Sequence, residues 1–180
     1  MNLIFERIQS AGHPTFEALF SLYLLSFPPE ERRELDALIG MLKVPEMYFW
    51  AINTDSQLVG FVIYWKFDGF LYIEHLAVYE DQRRKGIGEE TLRKLQKEEN
   101  PILLEVEIPH DEASTKRVAF YKRAGFCSLP INYFQPPYRE GESLLPMMLF
   151  SDRNEWDPGT LRRLIEVFHH RVYGAKETGR

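Results

Sequence analysis

Residues 71–79, Leu-Tyr-Ile-Glu-His-Leu-Ala-Val-Tyr, are apolar at almost every position, as expected of a strand covered on both faces. They run into Glu80-Asp81-Gln82-Arg83-Arg84-Lys85-Gly86-Ile87-Gly88, and then into a segment where Ile87, Thr91, Leu92 and Leu95 recur at helical spacing. A buried strand, a polar turn with two glycines and an amphipathic helix restrict the chain to folds that lay helices on a sheet. The turn also carries chemistry. The start of a helix presents unpaired N–H groups and the positive end of the dipole, and so accepts anions. Glycine lets a ligand approach the backbone closely. The pattern therefore predicts a phosphate-binding turn, suited to a pyrophosphate. A dinucleotide fingerprint would need a third glycine where Thr91 stands, and the chain has neither a P-loop string nor a Gly-x-Ser-x-Gly elbow. The bland alternative is that Gly86 and Gly88 serve only close packing.

The remaining elements follow from periodicity and breakers. Leu3 to Ile8 reads as a strand, 15–26 as a helix ended by Pro28-Pro29, and 30–42 as a second helix. Residues 48–53 and 58–67 read as an antiparallel hairpin, and Asp68-Gly69 turns the chain into the buried strand. Downstream come a strand over 102–108, a helix over 114–124 closed by Gly125, and strands over 126–134 (broken at Pro130) and 143–150. Asp157-Pro158 then starts a last helix with Leu161, Leu164, Ile165, Phe168 and Val172 on one stripe. This order predicts an α/β (α+β) domain. Its mixed, mostly antiparallel sheet has about seven strands and is flanked by helices. Residues 1–150 form the domain, and 151–180 form a helical extension that packs on it or on a second copy.

Composition narrows the function. The 180 residues carry 22 Lys and Arg against 27 Asp and Glu, a net charge of −5, which argues against a nucleic-acid binder needing a broad basic face. A single cysteine, Cys127, excludes an intrachain disulfide framework and a cysteine-based zinc site. His110 and the His169-His170 pair lack companion ligands, so no metal is expected. The opening Met1–Arg7 lacks a basic stretch followed by an apolar core, and no apolar run reaches membrane-span length, so a cytoplasmic protein is expected.

Ala77-Val78 followed by Arg83-Arg84-Lys85-Gly86-Ile87-Gly88 resembles the Arg/Gln-x-x-Gly-x-Gly/Ala signature of the GNAT superfamily of acyl-CoA-dependent N-acyltransferases. Ala119-Phe120-Tyr121-Lys122-Arg123-Ala124-Gly125-Phe126 is similar to the same family's Phe-Tyr-x-x-x-Gly-Phe element. The resemblance covers about Leu3 to Phe150. It departs from the family at Ser114, where relatives often carry Asn. It implies a sheet splayed between the fourth and fifth strands, with acetyl-CoA as acyl-donor co-substrate in the cleft. Backbone groups of Leu76, Ala77 and Val78 would bond the pantetheine arm. The amides of Arg83, Arg84, Lys85, Gly86, Ile87 and Gly88 would hold the pyrophosphate. The implied reaction is direct attack of an amine on the thioester. Tyr121 would lie at the sulfur and protonate the leaving thiolate.

An alkyl amine is mostly protonated near neutral pH, so a positioned carboxylate must take its proton. Glu74, inside the buried strand, is the first candidate. Two-residue alternation puts it on one face with Tyr72, Leu76 and Val78 and turns His75 the other way. Glu105 and Glu107 are the alternatives. The acceptor is a small-molecule or protein amine, with a weak preference for a cationic one, and Phe27, Tyr133, Phe134 and Tyr138 are candidate pocket walls. The other class of function is a non-catalytic module that binds CoA or acyl-CoA.

Overall fold

The computed structural model describes residues 2–55 and 57–175. They fall into two compact units, 1–100 and 101–180. The first opens with strand β1 (Ile4–Ile8), followed by helix α1 (Phe16–Ser26), a 3₁₀ turn at Pro29–Glu31 and helix α2 (Leu35–Met41). Strands β2 (Met47–Asn53), β3 (Leu58–Phe67) and β4 (Phe70–Val78) then form an antiparallel meander with β1 on its outer side. Helix α3 (Ile87–Gln96) closes the unit.

Pairing of the strands sorts their side chains. Phe49, Phe61 and Trp65 share one face, which α1 covers: the Phe16 and Phe49 rings lie 6.3 Å apart and those of Tyr23 and Phe61 6.1 Å apart. Phe5, Tyr48, Trp50 and Tyr64 share the other, where Lys94 of α3 sits 5.0 Å from the Phe5 ring. Phe49, Phe61, Trp65 and Leu92 are fully buried. Burial of side chains this large contributes about 1.5–3 kcal/mol each.

β3 and β4 come unusually close at Gly60, opposite Val78. A Cβ built there would stand 2.3 Å from the Ala77 carbonyl oxygen and 3.0 Å from the Val78 Cα, both backbone atoms that cannot swing aside. Gly60→Ala is therefore expected to destabilise the protein by about 3 kcal/mol, within the range of overpacked cores. Urea denaturation checks this; a change below about 1 kcal/mol would mean that the strands part easily.

The second unit holds strand β5 (Ile102–Glu107), helix α4 (Glu112–Arg123), and strands β6 (Cys127–Ser128), β7 (Tyr133–Gln135) and β8 (Leu145–Ser151), ending in helix α5 (Pro158–Tyr173). β5, β6 and β7 all pair antiparallel with β8. The described residues thus form eight strands, not seven, because the stretch around Pro130 separates β6 from β7. Asp157 caps α5 by accepting the Thr160 amide, and Gly174 ends it with φ +67°. The stripe Leu161, Phe168 and Val172 is buried by the chain itself, and Phe168 packs at 6.4 Å on Tyr133.

Two expected helices differ from those observed. The helix expected over 30–42 is broken, since Arg32 is extended (φ −146°, ψ 158°) and Arg33 points inward. The helix expected from Ser114 starts two residues earlier, at Glu112. Asp111 is its cap and Ser114 completes a reciprocal capping box from inside the first turn.

Candidate active site

At the end of β4 the Tyr79 amide bonds the Val59 carbonyl (3.0 Å), and a 3₁₀ turn over Glu80–Gln82 follows. The Gln82 amide bonds Tyr79 (2.9 Å) and that of Arg83 bonds Glu80 (3.2 Å). The chain then reverses through two left-handed residues, Arg84 (φ +63°) and Gly86 (φ +79°). The first bond of α3 runs from the Glu90 amide to the Gly86 carbonyl (2.9 Å). Between these bonds, the amides of Arg84, Lys85, Gly86, Ile87 and Gly88 meet no acceptor among the described residues. Five successive donors at a helix N-terminus form an anion-binding concavity. A left-handed arginine costs roughly 1–2 kcal/mol, strain of a kind that clusters at functional turns. Arg83 is the exception to the expected set, because its amide is already spent on Glu80. Its side chain folds back as well, with Nε 3.2 Å from the Val78 carbonyl, while Lys85 Nζ rests on Gln82 Oε1 (2.9 Å). The space over Gly86 is open: nothing lies within 4 Å of where its Cβ would be.

The Tyr79–Val59 bond sets the phase of the β3–β4 ladder. In an antiparallel pair alternate residues address the same neighbour, so Ala77 turns its backbone groups to β3. Leu76 and Val78 turn theirs away from it. The three residues expected along a pantetheine arm therefore divide, with Leu76 and Val78 the ones directed outward from β3.

Simple alternation holds from Tyr72 to Glu74 and fails beyond it. The register steps from Tyr64–Ile73 to Ile63–His75, so Glu74 has no partner on β3 and forms a bulge. Its side chain lies on the α1 face with Tyr72, beside Trp65; the extra residue brings His75 to the same face and turns Leu76 and Val78 to the other. Its Oε1 is bonded by the Arg33 guanidinium and its Oε2 by Trp65 Nε1 (2.6 Å). The side chain is 0% exposed, and that of Arg33 4%. His75 lies on the same face, its Nδ1 3.7 Å from Glu74 and its Nε2 2.9 Å from the Glu31 carbonyl. Burial pulls His75 down to about 3, outweighing the Glu31 bond that favours its charged form; the Arg33 charge lowers it further. His75 is thus neutral, and the charge opposite Glu74 is that of Arg33. No local pattern in Glu30-Glu31-Arg32-Arg33-Glu34 marks Arg33 as the buried one.

In the second unit, Tyr121 packs its ring against Phe126 (6.2 Å) and Phe150 (6.5 Å). The residue is only 9% exposed, and its hydroxyl has no hydrogen-bond partner among the described residues. Burial pushes the phenol up to about 12, against a smaller opposing effect of Arg117, so it keeps its proton. Glu105 is half-buried and accepts hydroxyl bonds from Tyr133 and from Tyr173 (2.5 Å). His169 Nε2 lies 2.7 Å from the Tyr133 oxygen. Because the Tyr133 proton goes to Glu105, the histidine is the donor in that bond. Glu107 instead pairs with Arg117 (2.8 Å) and His110 (3.3 Å). The tyrosine partners of Glu105 lie 28 and 68 residues away in sequence, too far for any motif to reveal them. Among the described residues, no group of three His, Cys, Asp or Glu is placed to hold a metal ion, and no helix is long and apolar enough to cross a membrane.

A strand, a turn with unoccupied amides and a helix, within this order of elements, define an α/β protein with helices laid on a sheet. The model of the acetyltransferase (GNAT) family matches residues 16–126. A solved GNAT-family chain from Bacteroides thetaiotaomicron, classed among the acetyltransferases, is 36% identical, with a TM-score of 0.87 over 96% of this chain and 99% of its own. YjbC of Bacillus subtilis (strain 168), also classed there, is 35% identical over 102 residues, 56% of this chain and 52% of YjbC. The match thus spans about half the length of that curated relative. An aminoglycoside 6'-N-acetyltransferase complexed with coenzyme A shares the fold, with a TM-score of 0.58 and 20% identity over 86% of this chain and 99% of its own. The chain belongs to the GNAT family of acetyltransferases.

Proposed function

We propose that the protein is an N-acetyltransferase that moves the acetyl group of acetyl-CoA to a primary amine by direct attack. The observation that carries this reading is the run of five unoccupied amides from Arg84 to Gly88, open above Gly86. They suit the diphosphate of coenzyme A, with charge-assisted bonds among the stronger kinds, and the outward backbone groups of Leu76 and Val78 suit its pantetheine arm. Acetyl-CoA supplies the activated thioester. Tyr121, protonated and with its hydroxyl uncommitted, donates a proton to the departing thiolate. The amine must lose a proton to attack. The carboxylate we assign to that task is Glu105, which is half-buried and accepts from two tyrosine hydroxyls, rather than Glu74, whose side chain is 0% exposed and held by Arg33 and Trp65. Residues 1–150 serve as the catalytic domain and 151–180 as its helical extension. The solved aminoglycoside acetyltransferase supports a cationic amine as acceptor, as does the net charge of −5.

Thiol release from acetyl-CoA across spermidine, kanamycin and Nα-acetyl-lysine tests the reading, beside a thermal-shift titration with acetyl-CoA. For an amine that is turned over, Tyr121→Phe is expected to lower kcat about 100-fold, the low end for loss of a general acid, with acetyl-CoA affinity unchanged. A wild-type rate in Tyr121→Phe would remove the tyrosine from the mechanism. Binding without turnover of any amine would leave a CoA-binding module.

A further inference from the structure

We propose that Glu74 is a positioning residue: through Arg33 it pins the 27–34 link to the bulge of β4 and so holds the Leu76–Val78 backbone in register, an inference that rests on the donor site proposed above. A bulged residue has no cross-strand partner, and here its side chain supplies the contacts instead. At this bulge two successive residues of β4 each hold one residue of the link. Glu74 takes the Arg33 guanidinium, and His75 Nε2 meets the Glu31 carbonyl at 2.9 Å. The link is shaped to deliver them. The chain is extended at Arg32, the Arg33 amide donates to the Tyr23 hydroxyl (2.7 Å), and Arg32 Nε bonds the Phe27 carbonyl (3.0 Å). Phe27 in turn sets its ring 4.4 Å from that of His75. Trp65 completes the pin, with Nε1 2.6 Å from Glu74 and its ring 5.9 Å from the Arg33 guanidinium. A base needs an open approach for the proton it takes. The Glu74 side chain is 0% exposed, which is the geometry of a fastening. The bulge also sets the ladder phase beyond it, and that phase turns the backbone of Leu76 and Val78 away from β3.

Four full-length variants test this: Glu74→Gln, Arg33→Met, their double, and Arg33→Lys. Each is read by hydrogen exchange of residues 30–34 and 72–78 and by isothermal titration with coenzyme A. A pin makes the two single variants alike. Each speeds exchange in both segments at least ten-fold and weakens coenzyme A at least five-fold, while the double is no worse than either and Arg33→Lys stays within two-fold of wild type. If a single variant fails to fold, the double, which removes both charges of the pair, is judged by the same two readouts. Faster exchange with coenzyme A affinity within two-fold of wild type overturns the proposal, leaving a merely structural ion pair. So does a silent Arg33→Met beside a Glu74→Gln that loses turnover, which is the pattern of a base. A wild-type protein that binds no coenzyme A refutes the donor site instead, and the exchange data still decide whether the pin exists.

Discussion

Gly86→Asp is expected to abolish the thermal stabilisation that acetyl-CoA gives the wild-type protein. At a ligand concentration of about a hundred times Kd that stabilisation is about 2.7 kcal/mol, or roughly 5–10 °C in a domain of this size. The variant should still fold. Aspartate is among the residues that best tolerate left-handed backbone, nothing lies within 4 Å of its Cβ position, and Gly86 is the N-cap of α3, where aspartate is favoured. A carboxylate there accepts from the same amides that would bind a diphosphate, and it repels the phosphates. The effect therefore falls on the ligand and spares the fold, which separates it from ordinary destabilisation. Gly86→Ala is the control, adding backbone strain without charge. A ligand-induced shift in Gly86→Asp equal to that of wild type would show that the diphosphate is held elsewhere.

The residues that sequence made legible are those whose partners are close along the chain. The helix from Ile87 to Gln96 follows from apolar spacing, and the turn before it from two glycines and a basic triplet. What stayed hidden was set by distant residues. Alternation groups Glu74 with Leu76 and Val78; the bulge that parts them exists only in the register with β3, which no run of β4 residues encodes. The helix over 30–42 looked continuous because local propensity favoured it. Arg33, however, finds its carboxylate 41 residues away, and the chain opens at Arg32 to reach it. Propensity yields where a buried charge needs its partner. His169 shows no companion in the sequence, whereas in the structure it is half-buried and donates to Tyr133 on another element. The start of the helix expected over 114–124 is decided by a choice between two capping residues. Asp111 and Ser114 can each cap a helix, and the geometry gives the cap to the aspartate.

Acid should weaken this fold before most of its carboxylates titrate. Burial holds His75 down to about 3 and His169 down to about 4, whereas both titrate near 6.5 in the unfolded chain. Above about pH 6.5 neither state binds these protons, and the two histidines contribute nothing to pH dependence. Below it the unfolded chain takes up protons that the folded chain refuses, so stability falls with pH until the folded values are reached. At about 1.4 kcal/mol per pH unit for a fully buried group, and less for the partly screened His169, the loss between pH 6.5 and 4.5 is on the order of 4 kcal/mol. Urea denaturation at half-unit steps measures it. His169→Gln keeps a donor for Tyr133 but cannot titrate, so its slope over this window should be about half that of wild type. An unchanged slope would mean that His169 protonates in the folded protein as readily as in the unfolded one. The Glu105–Tyr133–His169 chain would then be open to protons at pH 5, and a charged His169 would stand one hydroxyl away from the proposed proton acceptor.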